Sequence, residues 1–379
     1  MDGLLIQNPF LVGKYVTDRY FCDRENETAF LIKQIQNGRN VAIISPRRLG
    51  KTGLIHHCFN REVLRNDYYT FFVDIYATTS FEEFVYLFGK AIYEELEPKK
   101  TPWSERFFQV ISSLRVGFKL DSVTGEPSFD LGLGNIQTPQ LTLDEIFTYL
   151  ESADKPCVVA IDEFQQIGNY GDKNIEALLR TKIQQCKRTQ FVFLGSKRHT
   201  MSLMFNSPNK PFYQSALSMG LAPIPMEAYC DFAIRLFEER GKRVDREVVE
   251  RVYKMFDGCT WYVQMMMNEL FALTPFDAQC SVEQIEMARR NVIIAQEGSY
   301  KDILSQIPSK QKMVLSAIAK ECKAQGVTSS SFIKKYNLSS ASSVQSAIKG
   351  LLKNDLITQD NDTYRVYDYF FSEWLATEY

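Results

Sequence analysis

The chain has 379 residues with 44 Lys and Arg against 46 Asp and Glu, a formal net charge of -2, and 45% apolar against 24% charged residues, the balance of a globular protein too long for one ordinary domain. That balance excludes coating of nucleic acid by overall positive charge, so any basic surface must be local. Eight scattered cysteines without a CxxC pair, beside three histidines, argue against zinc and for reduced thiols; no basic segment precedes the apolar residues of the start and no apolar run reaches membrane-spanning length, so a cytoplasmic protein without membrane attachment is expected.

In chain order, residues 40–44 (NVAII) have the β-branched run of a buried parallel strand, and residues 51–60 (KTGLIHHCFN) can continue as a helix. Between them lies SPRRLGKT: Ser45, Pro46, Arg47, Arg48, Leu49, Gly50, Lys51 and Thr52. This is nearly the phosphate-binding loop GxxxxGK(S/T), placed where that loop must lie. Backbone N–H groups of the loop, with Gly53 in the first helical turn, would cradle the α and β phosphates of ATP. Lys51 would reach the β and γ oxygens, and the Thr52 hydroxyl would ligate Mg2+. Ser45 stands where the pattern has Gly, and a serine tolerates positive φ less well.

A second strand is expected at 70–75 (TFFVDI), then an inserted β-hairpin near 114–135, with strands 116–120 and 129–133 around a turn containing Thr124 and Gly125. Residues 157–164 (CVVAIDEF) read as an apolar strand ending in two adjacent carboxylates. Asp162 would hold the Mg2+ shell and Glu163 would polarise the attacking water. Kinase and GTPase chemistry does not need a Glu directly after that Asp, so the pair favours ATP hydrolysis. Strands at 190–196 (QFVFLGS) and 218–221 complete an alternation of strand and helix. The fold class is α/β: a P-loop NTPase of the additional-strand type, with nucleotide outside the carboxyl ends of a parallel sheet.

From about Pro225 the pattern turns to helices, expected at 227–240, 246–256, 260–273 and 282–296, as in a lid whose core Met265, Met266 and Met267 help to fill. Pro308 marks another boundary. Helices at 310–324, 329–336 and 340–353, then strands at 356–358 and 364–367 around Asp360, Asn361 and Asp362, have the order of a winged helix-turn-helix. The domains so drawn are 1–224, 225–306 and 307–379. No acidic residue occurs from Val327 through Asn354, whereas Lys334, Lys335, Lys349 and Lys353 do, so phosphate contact with duplex DNA is one reading. No Arg lies on the third helix to read guanine, and the wing turn is acidic. Docking of a protein partner stays open beside DNA.

The whole chain resembles the archaeal and bacterial ATPase family related to the STAND branch of AAA+ proteins, in which P-loop domain, helical lid and winged helix follow one another. The resemblance rests on PRRLGKT at 46–52, on Gly195 with Ser196, on YRVYDYFFSEWL at 364–375, and on Phe21, Cys22, Asp23, Arg24, Glu25, Asn26 and Glu27, similar to an aromatic followed by GREEE. It implies that the segment around Arg24 borders the adenine and that Ser196 is a polar sensor of the γ phosphate. Three positions depart: Asp23 replaces Gly, Ser45 replaces Gly, and residues 258–262 (GCTWY) lack the family's His and Pro. Residues 211–216 (PFYQSA) also lack the expected Arg, leaving Arg47 and Arg48, or Arg180, Lys197 and Arg198, as the cations near the phosphates. Two functions follow: an ATP-hydrolysing switch coupled to the winged helix, assembling as an ATP-dependent oligomer or not, or a nucleotide-stabilised interaction protein with negligible turnover.

Overall fold

The structure is a computed structural model and describes residues 6–13, 15–96, 118–120, 127–129, 139–171 and 174–378. The chain divides into two compact units, Gly13–Ile224 and Met1–Val12 with Pro225–Tyr379.

The first unit is built on the β-branched and aromatic runs of the sequence. β1 (Val41–Ile44), β2 (Tyr69–Asp74), a two-stranded antiparallel hairpin of β3 (Phe118–Leu120) and β4 (Pro127–Phe129), β5 (Cys157–Asp162), β6 (Thr189–Gly195) and β7 (Leu217–Met219) follow in that order. An antiparallel pair lies in the region of the expected hairpin, with strands at Phe118–Leu120 and Pro127–Phe129 in place of the expected 116–120 and 129–133; the rest of 114–135 lies outside the described residues. The main sheet is parallel throughout, in the order β2-β5-β6-β1-β7. β6 thus lies between the loop-bearing strand β1 and the carboxylate-bearing strand β5, which is the additional-strand arrangement. β5 and β6 are buried along their whole length, as expected of central strands covered on both faces. One face carries a core of Phe71, Phe84, Phe88, Phe147, Phe164, Phe191, Phe193, Phe205 and Phe212. Parallel pairing brings the carboxyl ends of β1, β5 and β6 to one edge of the sheet, where the loops after them face the same side.

In the second unit, helices Met226–Glu238, Arg246–Met255, Thr260–Leu273 and Glu283–Gln306 pack with residues 6–12. Phe10 is fully buried against the rings of Phe232, Phe237 and Phe271, and Asn8 and Asn268 exchange hydrogen bonds with each other's chain segments. Met266 and Met267 are buried and Met265 half-buried. The fourth helix corrects the sequence expectation, which ended it at 296. It runs to Gln306 because Tyr300 and Leu304 supply further buried contacts, and Gly298 within it sits on an open side with no heavy atom near a Cβ. Tertiary packing there outweighs a helix-propensity cost of about 1 kcal/mol.

The C-terminal part has helices Ser309–Glu321, Ser330–Lys335 and Ala341–Lys353, the last two capped by the Ser329 and Ser340 side chains. A three-stranded antiparallel sheet follows, β10 (Ala324–Gln325), β12 (Thr363–Val366) and β11 (Ile357–Asp360), in that spatial order, numbered after the short parallel pair β8 (Arg243–Val244) and β9 (Gln279–Cys280). The two-residue β10 has no sequence signature of its own. A last helix, Tyr369–Glu378, buries Phe370, Phe371, Trp374 and Leu375. This helix returns to the helical segment: Tyr262 meets Tyr369 and Phe370, Tyr300 meets Phe371 and Trp374, and Arg289 pairs with Glu373 at 2.6 Å.

Candidate nucleotide site

The loop between β1 and helix Lys51–Asn60 is the first element of the site. Gly50, at φ +89°, starts that helix without a side-chain cap, so its first N–H groups point outward where an anion can take them. Ser45 is buried and is not in the left-handed region; the non-glycine loop residue that adopts positive φ is Arg48, at +68°. The expected strain at Ser45 is therefore absent, because the first position of this loop is still nearly strand: the Ser45 N–H donates to the Gly195 carbonyl at the end of β6. Leu49 is buried, Pro46 and Gly50 are exposed, and Arg47 and Arg48 are half-buried. The buried Lys51 donates through Nζ to the carbonyls of Ser45 at 3.0 Å and Pro46 at 2.8 Å, so its ammonium is already curled into the loop.

Across the loop, the Thr52 hydroxyl donates to Asp162 Oδ2 at 2.7 Å. Asp162 also accepts the Glu163 N–H. Burial pushes the Asp162 carboxyl above its usual range; the Thr52 and Glu163 donors oppose this, while Glu163 and Asp74 add to it. Asp74 is brought there by register, directly opposite Asp162 on β2. Sequence reading missed it, because its position at a strand end is visible but its pairing is not.

Glu163 leaves β5 in the left-handed conformation, φ 55° and ψ 39°. Its Oε2 accepts from Ser196 Oγ at 2.7 Å and from Gln165 Nε2. Arg47 Nε donates to Ser196 Oγ at 3.2 Å and lies 3.9 Å from Glu163 Oε1, with its guanidinium over the Tyr76 ring. Residues from β1, β5 and β6 thus meet at one point. Gln165 was missed from sequence. It is buried, its Oε1 has no hydrogen-bond partner among the described residues, and a Cβ on Gly195 would stand 2.6 Å from that oxygen and overlap Met201. Glycine at 195 is what lets the Gln165 amide reach Glu163.

Arg24 braces the loop from behind. Asp23 and Arg24 both adopt positive φ, which accounts for the glycine in the pattern that Asp23 departs from. The buried Arg24 guanidinium donates to the Leu49 carbonyl at 3.2 Å and to Glu27 at 2.7 Å. Gly53 packs against Phe21, whose ring stacks on His57 at 4.2 Å. His57 lies between Asp18, 3.0 Å from Nδ1, and Arg61, 2.7 Å from Nε2. An arginine only donates, so Nε2 accepts and Nδ1 carries the proton; burial and the Arg61 charge hold this histidine below its usual pKa, against Asp18 and Glu25.

In the winged helix, Lys334, Lys335, Lys349 and Lys353 are all exposed. Lys335 is not a spare charge: the fold brings Glu321 to it at 2.5 Å. The stretch without acidic residues is thus partly neutralised from outside itself.

Fold and site together define a P-loop ATPase carrying a C-terminal winged helix. The model of an ATPase domain predominantly from Archaea matches residues 21–266, and that of a probable winged helix domain matches residues 298–377; the chain belongs to this ATPase family. The Walker-type ATPase PABY2304 of Pyrococcus abyssi is similar in structure, with 18% identity and a TM-score of 0.64 over 97% of this chain and 99% of that one. The ORC2 protein of Aeropyrum pernix, in ADPNP-ADP complexes, gives 12% identity and a TM-score of 0.59 over 97% and 95%. The ORC1 protein of the same organism, in complex with DNA, gives 13% and 0.50 over 94% and 93%. No curated protein matches the chain by sequence. Among the described residues no helix is long and apolar enough to cross a membrane.

Proposed function

We propose that the protein is a Mg2+-dependent ATP-hydrolysing switch whose helical segment and winged helix respond to nucleotide together. The observation that carries the reading is the convergence of Lys51, Thr52, Asp162, Glu163 and Ser196 at the ends of three adjacent strands. Thr52 and Asp162 fit a divalent cation: two hard oxygens already touch, and burial holds the carboxyl in want of a positive charge. Among the described residues no three His, Cys, Asp or Glu side chains gather into a metal cage, so the rest of the shell would be water and phosphate, as Mg2+ prefers. Bound there, Mg2+ would neutralise phosphate charge. Lys51 would exchange its two loop carbonyls for β and γ oxygens, and Glu163 would orient and deprotonate the attacking water, with Ser196 beside it. Domain limits at 224 and 306 separate the ATPase part, the lid and the winged helix in this reading.

Coupling to the winged helix is supported by the turn before helix Thr260–Leu273. Asp257 accepts from Arg365 at 2.7 Å and from the Tyr369 hydroxyl, and the Tyr262 hydroxyl contacts the backbone at Tyr367 and Tyr369. The winged helix is thus tied to the helical segment beside residues 258–262, where this chain departs from the family's His and Pro. DNA is the partner favoured for the winged helix, through Lys334, Lys349 and Lys353, in keeping with the DNA complex of the ORC1 neighbour; protein docking is the alternative. The test is Lys51→Ala: no other ammonium emerges from the loop, so calorimetric titration with ATP should show loss of tight binding. Unchanged affinity would remove the loop from the ATP site.

A further inference from the structure

We propose that Arg47 is a γ-phosphate reporter acting within its own chain, held by Glu163 and Ser196 when no triphosphate is present and drawn off them by ATP but not by ADP. This inference rests on the ATP-site reading above and adds the discrimination between the two nucleotides.

Two of the loop's three cations, Lys51 and Arg47, have different partners. Lys51 lies on backbone carbonyls of its own loop, an arrangement that exchanges for phosphate oxygens of either nucleotide. Arg47 instead reaches two residues that belong to the γ position: its Nε donates to Ser196 Oγ and faces Glu163 Oε1, while Ser196 in turn donates to Glu163 Oε2. Arg47 therefore links the ends of β1, β6 and β5 across the space into which the loop delivers the terminal phosphate. The side chain is 27% exposed, so it can turn without opening the core, and the Tyr76 ring, itself 59% exposed, flanks it.

A γ phosphate carries more charge than one carboxylate and presents paired oxygens that match a guanidinium fork. It would compete for Arg47, and for the Ser196 hydroxyl beside it. ADP places nothing there, and Arg47 would stay on Glu163. Once Arg47 leaves, Glu163 remains oriented by Gln165, which is buried two residues along the same turn and cannot follow the phosphate. Glu163 is thus released for catalysis only when the nucleotide to be cleaved is in place.

The experiment is calorimetric titration of the full chain with Mg-ATPγS and with Mg-ADP. Arg47→Ala should weaken ATPγS roughly tenfold or more and leave ADP within about twofold, the loss expected of one charge-assisted contact made by the γ phosphate alone. Retained ADP binding also shows that the variant is folded. Glu163→Gln should tighten ATPγS in the parent, because a competitor for Arg47 is gone, and should not tighten it in the Arg47→Ala background. Equal losses for both nucleotides, no loss for ATPγS, or a Glu163→Gln gain that persists without Arg47 would overturn the proposal. Lys51→Ala separates the two levels: if it leaves ATPγS affinity unchanged the ATP-site reading has failed, whereas loss there with a nucleotide-blind Arg47→Ala condemns only the role given to Arg47.

Discussion

Replacing Phe370 by Ala tests whether the winged helix and the helical segment are one packed body. Phe370 is fully buried, with the Phe256 ring at 5.2 Å and the Tyr262 ring at 5.5 Å. Truncating a phenylalanine in such a site costs about 3–5 kcal/mol from reduced burial and the cavity left behind, of which the ring pairs account for about 0.5–1.5 kcal/mol. Against a typical domain stability of about 5–15 kcal/mol, that is a large fraction. Urea unfolding of the full chain should show an early transition at lower midpoint in Phe370→Ala, and Phe370→Leu should recover most of the difference by refilling the volume. A loss under about 1 kcal/mol, the size of an ordinary substitution, would mean that the last helix does not hold the two parts together, and coupling through it would fall.

Ser196→Ala should lower ATP turnover less than loss of Glu163 does and barely change ATP affinity, since one neutral hydroxyl contributes a hydrogen bond of about 1 kcal/mol; steady-state kinetics with full activity would make this strand end structural only. Lys349→Ala with Lys353→Ala should weaken duplex binding alike for all sequences and flatten the plot of log affinity against log salt by about one unit for each phosphate that no longer meets a lysine. If the parent shows no salt-sensitive duplex binding with or without ATP, the winged helix is a protein-docking module instead.

The sheet was legible because its signals are local. An apolar run, a glycine-lysine-threonine turn and a helix at 51–60 must lie in that order, and a strand ending in Asp162 and Glu163 needs only its own eight residues to be recognised. What stayed hidden depends on pairing across the chain. Asp74 acquires meaning only when β2 aligns with β5, and Gln165 only when Gly195 leaves room for its amide. The strain expected at Ser45 moved to Arg48 because a consensus position does not report its φ. The helix expected to stop at 296 ran on, since Tyr300 and Leu304 find a core that no local pattern announces. Lys335 looked unpaired in a stretch without carboxylates, and its partner Glu321 came from the preceding helix.

The central claim is that Glu163 activates water for ATP cleavage. Its most direct measurement is ATP turnover by the purified chain beside Glu163→Gln, with ATP binding measured on the same preparations. Binding should be retained while turnover falls at least about tenfold, since general-base catalysis contributes two or more orders of magnitude. Equal turnover by variant and parent, or none by the parent at saturating Mg-ATP, would contradict the account and leave a nucleotide-stabilised interaction protein in its place.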